Sequence, residues 1–165
     1  MKKLHFQLLY FVMLTISIGA CDGCRKKNQI NPDKTVATID LLKKKTFKAI
    51  QIKESNVIVY RDKATNNIIP AYSRFRLTLD VTTTTIRAAK LIEYTGEEFN
   101  GRWNVVDDQG KLILRLEAMR PWPTNTEGVI EYEIKGSTEE TLLMSSIKNN
   151  PKTGDTMNEY DLMKL

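Results

Sequence analysis

The chain has 165 residues, with 25 Lys+Arg against 20 Asp+Glu, a single His and a formal net charge of +5. A composition that is 41% apolar and 27% charged belongs to a globular domain and excludes a wholly disordered chain. The length holds one domain with a real core and not two ordinary ones.

Met1-Lys2-Lys3 is a short basic head, Leu4 to Ile18 is mostly apolar, and Gly19-Ala20 supplies small residues before Cys21. These are the parts of a secretory signal peptide over residues 1–20. The apolar stretch falls short of the ~20 residues that span a bilayer, which weighs against a transmembrane helix. Cleavage removes Lys2, Lys3 and His5, leaving 23 basic against 20 acidic residues, a charge of +3. A mild excess spread along the chain is no nucleic-acid footprint. Without an imidazole, Ser-His-Asp and Cys-His catalysis and His-ligated metals are excluded from the mature chain.

Ile18-Gly19-Ala20-Cys21 resembles the bacterial lipobox. The resemblance implies that Cys21 becomes the first mature residue, carries a diacylglycerol thioether and anchors the protein to a membrane. Cys24 then has no intrachain disulfide partner. Residues 21–35 read as a polar tether with one large apolar residue, Ile30, plus Gly and Pro. Some lipoproteins of the Bacteroidota phylum carry an acidic run after the lipidated Cys that sends them to the cell surface. Arg25-Lys26-Lys27 stands in that place here, which points to the bacterial cell envelope, at the outer membrane with the domain facing the periplasm.

Residues 36–165 form a single domain. Val36 to Lys45 holds one short helical turn, and the rest alternates with period two between turn signals. Strands are expected over Thr46–Lys53, Asn56–Arg61, Arg74–Val81, Thr83–Tyr94, Phe99–Val106, Lys111–Glu117, Val129–Lys135, Thr141–Ile147 and Met157–Leu165. Asp107-Asp108-Gln109-Gly110 is a hairpin turn, and Ala118 to Gly128 is the longest irregular loop. With no ten-residue helical pattern to cross a parallel sheet, the fold class is all-β. It is an antiparallel up-and-down meander of eight or nine strands, closed into a barrel or divided into a two-sheet sandwich.

The lipobox, the tether and the meander resemble the lipocalin-like lipoproteins of the Bacteroidota phylum. The residues carrying the likeness are Phe99-Asn100-Gly101-Arg102-Trp103, Gly128-Val129-Ile130-Glu131-Tyr132-Glu133-Ile134 and Asn150-Pro151-Lys152-Thr153-Gly154-Asp155-Thr156. The Gly-x-Trp that lipocalins place on their first strand is found here only at Gly101-Arg102-Trp103. The resemblance implies a lipocalin-like barrel that binds a small apolar ligand or an envelope partner.

The chemistry-bearing residues point away from catalysis. Glu97-Glu98, Asp107-Asp108 and Glu139-Glu140 are adjacent pairs near turns, and neighbours on a strand face opposite sides, so they do not converge on one atom. Glu131 and Glu133 share the water-facing side of their strand. Asp155, Glu159 and Asp161 lack the spacing of an EF-hand calcium loop. Thr82 to Thr85 is most simply a strand start. No enzyme activity, cofactor or metal is expected.

Contact with a ligand or partner is expected from Trp122, Arg120, Trp103, Phe75 and Tyr132. Phe75, Leu77, Trp103, Leu112 and Tyr132 line the interior. Trp122 lies between Pro121 and Pro123. The prolines can hold its indole outward as a contact residue, or the indole folds down as a lid over the core. Apolar burial favours the lid. Two functions follow: a non-catalytic lipocalin-like lipoprotein, or a protein-interaction module serving as an adhesin, inhibitor or accessory subunit.

Overall fold

The computed structural model describes residues 32–83 and 86–165. The leader, Cys21 and most of the expected tether lie outside the described residues. The chain opens with a helix, α1 (Pro32–Leu42). Nine strands follow: β1 (Lys45–Glu54), β2 (Val57–Arg61), β3 (Arg76–Leu79), β4 (Ala88–Ile92), β5 (Glu98–Asp108), β6 (Lys111–Arg120), β7 (Ile130–Ser137), β8 (Thr141–Ser146) and β9 (Asn158–Lys164). All pairings are antiparallel. Strands β3 to β9 run as a meander, and β9 pairs back onto β1, closing an eight-stranded barrel with β2 outside it. This is the barrel rather than the sandwich, and it is consistent with a lipocalin-like barrel.

β1 is the seam. One edge pairs along β9, while the other is shared: Lys45 to Lys48 lie against β3, and Gln51 to Glu54 against β2. Register shifts at Ile52/Lys53 and Ala49/Gln51 coil this strand so that it serves both neighbours. The two tightest hairpins use residues at positive φ: Ser55 and Asn56 between β1 and β2, and Gln109 and Gly110 between β5 and β6. That backbone matches the right-handed twist of the flanking strands. The Asp107 carboxylate accepts from the Gly110 amide at 2.7 Å in the second of them.

The period-two pattern buries one face of every barrel strand. Phe47, Leu77, Leu79, Leu91, Leu114, Leu116, Leu142, Met144 and Leu162 are all shielded from water in one contiguous core. Each such side chain is worth roughly 1.5–3 kcal/mol of transfer free energy. Trp103 sits among them and donates its indole N–H to the Asp80 carbonyl at 2.8 Å.

Three local expectations are corrected. The helix has 11 residues and begins inside the stretch read as tether, instead of forming one turn after Val36. Pro32 reads as a breaker, yet proline suits the first turn of a helix, where its missing N–H goes unused, and Asp33 complements the helix dipole there. Thr38, Ile39 and Leu42 face the barrel, with Leu42 fully buried. Second, Thr82 and Thr83 form a turn and no strand. Both amides point to the Ile86 carbonyl, and the Thr83 hydroxyl accepts from the Ile86 amide at 3.0 Å. Threonine hydroxyls offer the backbone this alternative to a ladder. Thr84 and Thr85 lie outside the described residues, and β4 starts only at Ala88. Third, Arg74 ends a 3-10 turn, Pro70–Arg74, that precedes β3.

The two ends of the barrel differ. α1 lies against β5 and β7 and hands the chain to β1 across the barrel, so it covers the end bearing the β5–β6 and β7–β8 turns. The opposite end bears the β4–β5 turn, the β6–β7 loop and the β8–β9 connection.

Candidate functional site

A cleft of about 90 Å³ opens at the end opposite α1. Its floor is made by two inward tyrosines. Tyr132 of β7 stands between Leu114 of β6 and Ser146 of β8. Tyr160 of β9 stands between Met144 of β8 and Ile52 of β1. Their rings meet edge-on with centroids 5.5 Å apart, and Tyr160 continues to Phe75 at 5.1 Å. Edge-on and tilted contacts of this kind suit the ring quadrupoles and hold the rings in place.

One wall is the β6–β7 loop. Thr126 folds it by donating its hydroxyl to the Pro123 carbonyl at 2.8 Å, and the Val129 amide returns to the Thr126 carbonyl at 2.9 Å. Pro123, Val129 and Ile130 give this wall its apolar surface. The facing wall is the β8–β9 connection. The Asn150 amide donates to the Thr156 carbonyl at 2.9 Å, and the Asn150 side chain accepts from the Lys152 amide at 2.9 Å.

That connection is fastened across the mouth to the β4–β5 turn. The Lys152 ammonium reaches Glu93 at 2.7 Å and also pairs with Glu97, and Tyr94 donates its hydroxyl to the Lys152 carbonyl at 2.9 Å. Burial pulls the lysine's pKa down, but the hydrogen bonds and charges of the two glutamates outweigh it, and the net direction is up. The hydrogen bond from Lys152 holds Glu97 below the usual carboxylate range.

Beneath this strap lies a buried polar node on Asn158. Its side-chain amide donates toward the Tyr72 and Tyr160 hydroxyls at 3.4 Å each. Its oxygen accepts from Thr156 at 2.8 Å, and its backbone amide donates to the Ser146 hydroxyl at 2.9 Å. Tyr72 in turn donates to Glu54 at 2.7 Å. Burial is the main reason that the Tyr72 phenol titrates far above its ordinary range, and it pushes Tyr160 up to about 12.

The expected contact residues separate into three groups. Phe75, Trp103, Leu77 and Leu112 are packed into the core, so they do not border the cleft. Tyr132 does border it. Arg120 and Trp122 stand together on the outside of the loop, the guanidinium 4.6 Å from the ring centroid, with Trp122 62% exposed. The lid expectation for Trp122 is therefore corrected. Pro123 turns inward in its place, and the indole lies over Gly128, where an added Cβ would sit 3.3 Å from it.

Most of the acidic residues weighed for catalysis are bound to cations. Glu98 pairs with Lys90, Glu139 with Lys45, Glu140 with Lys164, Glu131 with Arg115 and Glu159 with Lys53. Among the described residues no group of three or more His, Cys, Asp and Glu stands together as a metal site would need.

Sequence reading missed Tyr160, Glu93, Lys148 and Lys152. Tyr160 had a signal, since Asn158, Tyr160 and Leu162 alternate inward. The Lys152–Glu93 pair joins residues 59 apart and leaves no local trace.

No family model matches the chain, and no curated protein matches it. A solved structure described as an uncharacterized protein from Bacteroides eggerthii is similar to it, with 12% identity, a TM-score of 0.36, and coverage of 73% of this chain and 98% of that one. The barrel stands on its own strand pairing.

Proposed function

We propose that the chain is an envelope lipoprotein, anchored to the outer membrane through an acylated Cys21, whose periplasmic barrel is a non-catalytic module binding a ligand at its mouth. One observation carries this reading: α1 covers the end at which the chain arrives, and the cleft opens at the other. Residues 22–31 separate Cys21 from Pro32, a reach of at most ~40 Å when extended. The anchor thus joins the covered end and leaves the cleft at the remote one. Because Phe75, Leu77, Trp103 and Leu112 are packed into the core, the ligand belongs at the mouth and not deep among them.

The anchor is tested by Cys21→Ser. Cells expressing the variant and fed a clickable palmitate analogue should show no label on the protein. Label that persists on the variant refutes the anchor. The interaction-module reading is favoured separately by Trp122, whose exposed indole under Arg120 offers an aromatic anchor to a protein partner.

A further inference from the structure

The chemistry of the cleft narrows its ligand, on the reading that the mouth is a binding site. Among the described residues, no fully buried side-chain nitrogen or oxygen lacks a hydrogen-bond partner. Tyr72, Tyr94, Tyr160 and Trp103 all obey that rule through the partners given above. Tyr132 differs. Its ring is buried, with 5% of the residue exposed, but its hydroxyl oxygen falls outside that rule: it reaches the open cleft and has no partner among the described residues. A polar atom so placed takes its partner from the cleft, from water or from a group that displaces the water. Burial pushes the phenol well above its usual range, aided by the neighbouring Tyr160 and Glu93, so it stays protonated and is available as a donor.

The charged lining points the same way. Glu93 shares the Lys152 ammonium with Glu97, at 2.7 Å on its own side, and Glu131 pairs with Arg115 at 2.6 Å. Lys148 borders the same cleft and has no ion pair among the described residues. A hydrogen-bond donor at the floor and an unpaired cation at the rim are matched by one anionic acceptor. We propose that the mouth cleft binds the carboxylate of a small organic acid. The Tyr132 hydroxyl donates to it, the Lys148 ammonium pairs with it, and the acid's short apolar body lies against Pro123, Val129 and Ile130.

Size and charge limit the ligand further. An engineered cavity of about 150 Å³ binds benzene, so a cleft of about 90 Å³ encloses a part of only a few carbons. A long acyl chain has nowhere to descend, because Leu114, Leu142 and Met144 are fully buried below. Among the described residues the lining contains no arginine and a single unpaired cation, which suits a monoanion better than a phosphate.

Butyrate and its neutral isostere butyramide serve as probes of the full-length protein in detergent, read by NMR of the tyrosine rings and lysine side chains. The Tyr132 ring and the Lys148 ε-methylene should shift saturably with butyrate, at an affinity about fivefold or more above that for butyramide. Lys148→Gln should bring the acid down to the amide's affinity, and Lys148→Arg should restore it. Tyr132→Phe keeps the ring in the core and should weaken the acid several-fold. Lengthening the acid to hexanoate should add little. If acid and amide bind the cleft equally, the carboxylate assignment is overturned while binding at the mouth stands. If no cleft resonance responds to either probe at tens of millimolar, both fall.

Discussion

Gly101 lies where β5 passes a bulge in β6. Asn100 pairs with Arg120 and Arg102 with Glu117, so Ala118 and Met119 together oppose the single Gly101, one residue more than on β5, with Ala118 at φ 51°. A Cβ on Gly101 would stand 2.5 Å from the Glu117 carbonyl oxygen and 2.5 Å from the Met119 sulfur. Gly101→Ala should therefore displace the bulge and cost about 1–3 kcal/mol in chemical denaturation, as overpacking does. Gly110→Ala meets no atom within 4 Å and bears only its φ of 84°, which costs about 1 kcal/mol. A loss at Gly101 no larger than about 0.5 kcal/mol would contradict the close approach there. At this scale the sequence was readable where a side chain obeys the strand period. Phe75, Trp103 and Tyr132 fall on inward positions and are buried. It was not readable at Trp122. Burial area argues for a lid, but the direction of the indole is set by the turn through Pro123 and by the Arg120 guanidinium.

At the scale of elements, the β8–β9 connection is held to the β4–β5 turn at the point where the mouth would otherwise widen. Lys152 supplies the ion pairs and Tyr94 a hydrogen bond, while the Lys152 ammonium also stands 5.4 Å from the Phe99 ring. Lys152→Met keeps the stem over Phe99 and removes the charge. Hydrogen exchange should then quicken by about tenfold at the Asn150, Thr153 and Asp155 amides, a change of ~1.4 kcal/mol in local opening. Amides between β5 and β6 should be unaffected. Unchanged exchange in the connection would show that Tyr94 and the Asn158 node hold it without the ion pairs. The strands themselves were largely legible, because alternating Leu, Ile and Val between turn residues is a local signal. The strap, the length of α1 and the Thr82–Thr83 turn were not. The first depends on partners distant in sequence, the second on a barrel end that covers Leu42, and the third on hydroxyl hydrogen bonds competing with a ladder.

At the scale of the molecule, closure of β9 onto β1 removes the barrel's edges and leaves β2 as the outlier. The period-two pattern predicted an antiparallel meander and left barrel and sandwich open, since strand spacing is the same in both. The β1–β9 ladder decides between them, and it joins the first barrel strand to the last. Closure also fixes how the interior is used: inward aliphatic and aromatic side chains from every barrel strand meet in one core, and the free volume described above lies at the mouth. The barrel is filled by its core, and the binding proposed for it falls at the open end. Methyl-resolved NMR under xenon pressure tests it most directly, because xenon occupies small apolar voids and reports them residue by residue. A filled barrel gives saturable shifts at Val129 and Ile130 beside the cleft and none at Leu77, Leu114 and Leu142. Saturable shifts at those three leucines would reveal an internal cavity and contradict it.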